Sequence, residues 1–129
     1  VAQQLSLRQF FDLRRCGAAR VVDILLVFLH TGNVVLERNE LFLEDIDWFV
    51  LHQANARIVD AVARRLRLDI GKFPMNLQEY GNTSSASIPI MLNELNREGV
   101  LKKGQKLVLA GFGAGLSWGA SVLEWDITE

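Results

Sequence analysis

Three stretches of this sequence hold residues that could do chemistry. The first is Ile46-Asp47-Trp48-Phe49-Val50-Leu51-His52-Gln53-Ala54-Asn55, an apolar strand-forming run that ends in a polar cluster and passes at once into a patterned helix. His52 therefore stands where a buried strand ends and a helix begins, the junction at which open α/β sheets place their chemistry. Thirty positions later comes Asn82, inside Glu79-Tyr80-Gly81-Asn82-Thr83-Ser84-Ser85-Ala86-Ser87, a run too small and polar for an ordinary surface loop. The third is Gly111-Phe112-Gly113-Ala114-Gly115, a stretch of nearly bare backbone. No Lys-Ser/Thr pair closes it and a strand follows where a helix should, so it is not a phosphate loop. The amides of 113–115 are suited instead to an oxyanion. His52 and Asn82, both hydrogen-bond donors, could hold a second carbonyl oxygen as it gains charge. A lone His at such a junction is more commonly structural, and that reading stands beside the chemical one.

The elements that must position these residues follow from the pattern. Val34–Asn39 reads as the end of a helix with Asn39 its stop, 43–45 as a polar turn, and 46–51 as a strand. Asn55 can cap the next helix, in which Ile58, Val59, Val62, Ala63 and Leu66 form one apolar stripe. Arg57, Arg64, Arg65 and Arg67 lie on or beside its other face, either a solvated surface or a docking site for something anionic. Gly71 ends that unit and 73–77 is a short extended segment. Ser84 or Ser85 can cap a helix through 88–98, with Pro89 in its first turn and Gly99 as its stop. Small residues at the start of that helix would let another backbone approach closely. The segments 105–110 and 116–125 read as an antiparallel hairpin around the glycine-rich loop. Upstream, Leu5–Leu13 makes an amphipathic turn or two. Val21–Leu29 is a buried strand or a buried helix, which periodicity does not separate over so short a run.

Composition narrows the classes. At 129 residues, half of them apolar, with a net charge of −1, the chain is one globular domain at most, without the basic excess that nucleic acid would require. The single Cys16 makes no internal disulfide, and no Cys/His cluster has metal-ligand spacing. No metal or cofactor and a cytoplasmic location are therefore expected. The apolar run 21–30 is interrupted by Asp23 and falls short of the roughly 20 residues of a membrane helix. Arg14, Arg15 and Arg20 precede or open it as in a secretory leader, but no clean small-residue cleavage site follows.

Taken together, Asp47-Trp48 with His52-Gln53-Ala54-Asn55-Ala56-Arg57, then Gly81-Asn82-Thr83-Ser84, then Phe112-Gly113-Ala114-Gly115-Leu116-Ser117-Trp118-Gly119 resemble the C-terminal half of β-ketoacyl-acyl-carrier-protein synthase III over about 34–125. The resemblance implies a condensing enzyme with a Cys-His-Asn triad, whose Cys takes an acyl group from acyl-CoA and whose His and Asn act on malonyl-acyl-carrier protein. It gives His52 and Asn82 those last two roles. Phe112 becomes a wall of the site, and Gly113, Ala114 and Gly115 the loop whose amide binds the oxyanion. Gln53 and Asn55 fall among the substrate-binding positions, Asn55 at the pantetheine arm. Arg57, Arg64 and Arg65 match a basic patch facing the carrier protein or the CoA phosphates.

The implied fold is α/β and thiolase-like: two halves, each with a five-stranded sheet ordered 3-2-1-4-5. On that template 46–51 is strand 3, while 105–110 and 116–125 are strands 4 and 5. Strands 1 and 2 should lie between them and are not found, so the facing edges of strands 3 and 4 are expected to be unpaired. Residues 1–33 form an unmatched segment, disordered or from a shifted reading frame, and 34–129 the partial condensing domain. Cys16, 36 positions before His52 and beside Arg14-Arg15, does not match the family's nucleophile. Two readings are open. One is the C-terminal part of a synthase, completed by a missing N-terminal half or a homodimer partner. The other is a non-catalytic truncated α/β module; polyketide-type relatives share the same triad.

Overall fold

The computed structural model describes residues 20–113 and 117–127. Its centre is a three-stranded sheet of β1 (Trp48–Leu51), β2 (Lys106–Gly113) and β3 (Ser117–Glu124), in that order. The helices are α1 (Arg20–Arg38), α2 (Ala56–Leu66), the single turn α3 (Leu77–Tyr80) and α4 (Ser87–Arg97). The apolar run at 21–29 is the first half of α1. It continues without proline to Arg38, and an uninterrupted 19-residue segment is helix length rather than strand length. Asn39 closes α1 as read, its amide donating to Leu36 O, and the chain turns through Glu40 at φ 55°. A 3-10 turn at Leu43–Asp45 follows, where the Asp45 carboxylate accepts from Phe42 N–H at 2.8 Å.

The largest difference from expectation is the partner of β1. It lies parallel and directly beside β2, from Trp48↔Leu107 to Leu51↔Ala110, with no strand between. The three strands are present, but the two-strand gap that the 3-2-1-4-5 order placed between 46–51 and 105–110 is not. Both strands are apolar on both faces, and their buried amides and carbonyls need a ladder that each supplies to the other. The start of the register is fixed twice: Asp47 N–H donates to Lys106 O at 2.9 Å, and Lys106 N–H donates to Asp47 Oδ2 at 2.8 Å. The crossover that a parallel pair requires runs through α2, α3 and α4.

Alternation along the strands builds a core on each face. Phe49, Leu51, Val108 and Ala110 join Leu36 of α1 and Ile58, Val59, Val62 and Ala63 of α2. Val50 and Leu107 pack with Met91 and Leu95 of α4, Leu101 and Trp125. Between α1 and the sheet is a void of about 20 Å³, lined by Leu36, Phe49, Val62 and Val108 among others. Its wall is almost wholly apolar.

Four local expectations change. The helix at 56 ends at Arg67 rather than Gly71: Arg67 adopts φ 58° and its N–H reaches the carbonyls of Ala63 and Arg64. Gly71 instead sits in a 3-10 turn, donating to Asp69 Oδ1 at 2.8 Å. Residues 73–77 are not simply extended, since Leu77 opens α3. No serine caps α4; Ser84–Ala86 is a 3-10 turn leading into it, and Ala86 occupies the cap position. Finally, 111–113 are strand rather than loop, because Gly111 faces Gly119 and Gly113 faces Ser117, and such small pairs let the hairpin close further.

Candidate active site

His52 is the first residue beyond β1, and its N–H still bonds to Ala110 O at 2.8 Å, so the sheet fixes its backbone. Its half-buried ring is held on two sides. Nδ1 lies 2.7 Å from Ser87 Oγ, at the first residue of α4. The Phe112 ring meets it edge-on, with centroids 5.4 Å apart at 77°. Gly111 brings β2 close: a Cβ there would stand 3.7 Å from His52 Cβ. Burial lowers the imidazole pKa, which the Ser84 backbone partly opposes. The ring is therefore neutral at pH 7, able to donate from one nitrogen while the other accepts.

Asn82 is reached through Ser84. Its Oδ1 accepts from Ser84 N–H at 3.0 Å, closing a turn that holds Ser84 at φ 53°, a left-handed conformation rare for a serine. With Oδ1 engaged, the amide NH₂ of the exposed Asn82 side chain is the end left to donate. Ser84 thus connects the two predicted donors, bonded to Asn82 on one side and adjoining the His52 ring on the other. Strain in such a link is characteristic of sites whose geometry is held by their surroundings. Phe112 and Gly113 end β2 at the same place, and Ala114 and Gly115 lie outside the described residues.

The substrate-binding expectations fare differently. Gln53 is fully buried, its amide engaged within the chain. Its Nε2 donates to Leu51 O at 2.9 Å and Pro74 O at 3.3 Å, while its Oε1 accepts from Asn76 N–H at 3.3 Å. It is a brace between the end of β1 and the segment leading to Asn82, a correction that polarity alone could not foretell. Asn55 caps α2, accepting from Arg57 N–H at 2.9 Å, and is exposed. Arg57, Arg64 and Arg65 are exposed on α2; Arg64 pairs with Asp60 at 2.6 Å in a solvent-facing i,i+4 bridge. Cys16 lies outside the described residues. Among the described residues no cluster of His, Cys, Asp or Glu could hold a metal, and no helix is long and apolar enough to cross a membrane.

Sequence reading missed Ser87 as a partner of His52. The available signal was a serine on the buried face of a helical first turn, where an apolar residue would otherwise serve the core.

A neutral imidazole and an exposed amide, joined through Ser84 at the end of a parallel strand pair, are suited to an oxygen that becomes negative during reaction. Residues 36–125 match the family model described as 3-oxoacyl-[acyl-carrier-protein (ACP)] synthase III C terminal. The β-ketoacyl-[acyl-carrier-protein] synthase III of Clostridium acetobutylicum is 53% identical over 99 residues, 77% of this chain and 30% of that protein. The Synechocystis synthase III is also 53% identical, over 114 residues, 88% of this chain and 32% of the relative. Among solved structures, the 3-oxoacyl-(acyl carrier protein) synthase III of Pseudomonas aeruginosa superposes with a TM-score of 0.82 at 39% identity, covering 88% of this chain and 36% of that one. The chain thus spans about a third of the length of the relatives it matches.

Proposed function

Because this chain belongs to the 3-oxoacyl-[acyl-carrier-protein] synthase III family and carries its C-terminal, thiolase-like part, we propose that it forms the decarboxylating side of an acyltransferase joining an acyl-CoA primer to malonyl-carrier protein, the opening step of fatty-acid synthesis. The observation that supports this reading is the coupling of His52 to Asn82 through Ser84, which ties both proposed donors to one turn.

In the proposed step, the bond between the malonyl carboxylate carbon and C2 breaks and CO₂ leaves. The electron pair passes into the thioester as an enolate. His52 and Asn82 donate to its oxygen, and two such donors in a water-poor site are worth several kcal/mol, about 3 for each. The carbanion carbon then attacks the acyl thioester held on a cysteine, the new oxyanion is met by the backbone amides of 113–115, and its collapse breaks the C–S bond and releases the cysteine thiolate. Phe112 keeps water from the ring. No metal or cofactor enters. The thiol is not Cys16, which has the wrong surroundings for the family's nucleophile. These 129 residues alone are therefore inactive in condensation and act with a part supplying the cysteine. Arg57, Arg64 and Arg65 present positive charge to the acidic carrier protein, acting mainly on encounter.

The test replaces the matching segment of the Clostridium acetobutylicum synthase by residues 36–125 of this chain and measures condensation with malonyl-carrier protein, the 129-residue chain serving as control. The expected result is an active chimera and an inactive control. His52→Ala or Asn82→Ala in the chimera should lower decarboxylation about 10²–10³-fold while cysteine acylation persists. A folded chimera that decarboxylates equally well with and without these side chains would refute the reading.

A further inference from the structure

Ser87 is one of three buried polar residues among those described, with Gln53 and Asn76, and is 2% exposed. Its Oγ lies 2.7 Å from His52 Nδ1 and accepts from Gln53 N–H at 3.3 Å. A hydroxyl has one proton and two lone pairs, and the Gln53 amide occupies one lone pair. We propose that Ser87 gives its single proton to Nδ1, fixing His52 as the Nε2–H tautomer, and so is the positioning residue for the donor that faces the malonyl oxygen. This rests on the reading of His52 as a donor given above.

The local supply of partners favours this direction. Ser87 is the first residue of α4, and the start of a helix is rich in free N–H groups and poor in acceptors. Ser84 O, three residues back, already accepts from Ser87 N–H. Nδ1 is then the acceptor open to the hydroxyl proton. The reverse assignment would direct two donors at Oγ and turn an Nε2 lone pair toward the site where negative charge develops. The neighbours that contact or adjoin the ring, Ser84, Ser87, Gly111 and Phe112, are all uncharged; the Ser84 backbone favours a second proton on the ring, and burial outweighs it. The edge contact of Phe112 also restrains the ring from turning over, which would exchange Nδ1 for a carbon at Ser87.

The tautomer can be read directly, without catalysis, so this inference and the functional reading can fail separately. The 129-residue chain labelled with ¹⁵N at histidine has two imidazoles, His30 and His52, separated by a His30→Gln variant. Long-range ¹H–¹⁵N correlation at pH 8 should show His52 with Nε2 protonated and Nδ1 unprotonated but hydrogen-bonded. Ser87→Ala should raise the ratio of Nδ1–H to Nε2–H about fivefold, the effect of losing one hydrogen bond of ordinary strength. Ser87→Thr, which restores the hydroxyl, should return the ratio toward the wild-type value. An Nδ1–H ring in the wild type, resonances equal to free imidazole, or a ratio unchanged by Ser87→Ala would each overturn the proposal. The first two need no variant to fold.

Discussion

His52 is neutral at pH 7, and its surroundings keep it so. Its folded pKa lies below the ordinary 6.5, with burial as the main cause. The sign of the linkage follows: above pH 6.5 the ring is neutral in both folded and unfolded chains and costs nothing. As pH falls below that value the unfolded chain takes up the proton first, so stability is lost on acidification, until the folded pKa is passed. Chemical denaturation at a series of pH values should show this loss, and His52→Gln should remove it. Identical pH profiles for the two proteins would mean that the ring does not resist protonation. Gln53 makes the complementary point about a polar residue that holds structure. Gln53→Leu leaves Leu51 O, Pro74 O and Asn76 N–H without their partner, and should cost about 2–4 kcal/mol in urea unfolding. A cost under about 0.5 kcal/mol would show these bonds to be replaceable by water.

At the level of elements, α2 separates a cap from a surface ion pair. Asn55→Ala removes the acceptor for Arg57 N–H and should lower stability by about 1 kcal/mol. Arg64→Ala breaks only the solvent-exposed bridge to Asp60 and should cost about 0.3–0.5 kcal/mol. Thermal melts of the two variants, read side by side, check the order; equal losses would show the bridge to be stronger than its exposure allows. At the start of α4 the expected serine cap is absent: Ser84 lies in a 3-10 turn, its N–H bonded to Asn82 and its φ at 53°, and Ala86 occupies the cap position. That turn lets one segment both lead into a helix and carry a donor beside His52.

For the whole molecule, the direct pairing of β1 with β2 replaces two unpaired edges by a ladder buried between α2 and α4. Hydrogen exchange should therefore find slow amides in 48–51 together with 106–112, as one cooperative unit. Fast exchange in 48–51 beside a protected 106–124 hairpin would show that β1 is not seated on β2 and would bring back the picture of a sheet with missing strands. The helix α1 closes the same face by packing on α2 and on the β2–β3 hairpin, burying Leu36.

Local pattern in the sequence determined the strand before His52, the cap at Asn55, the stripe of α2, the stop at Gly99 and the hairpin. In each, the deciding interactions lie within a few residues, so residue type and spacing suffice. The pairing of the three motifs was legible only through resemblance to a family, because positions thirty and sixty residues apart carry no local signal of proximity. Tertiary structure alone decided the rest. Which strand lies beside β1 depends on which buried amides lack a partner once the helices have packed. Whether Gln53 meets a substrate or braces a loop, and whether Ser87 faces solvent or Nδ1, depends on neighbours 21 to 35 positions away. A polar side chain is read from the sequence as polar; whether it is free to bind is settled by what already occupies its donors and acceptors.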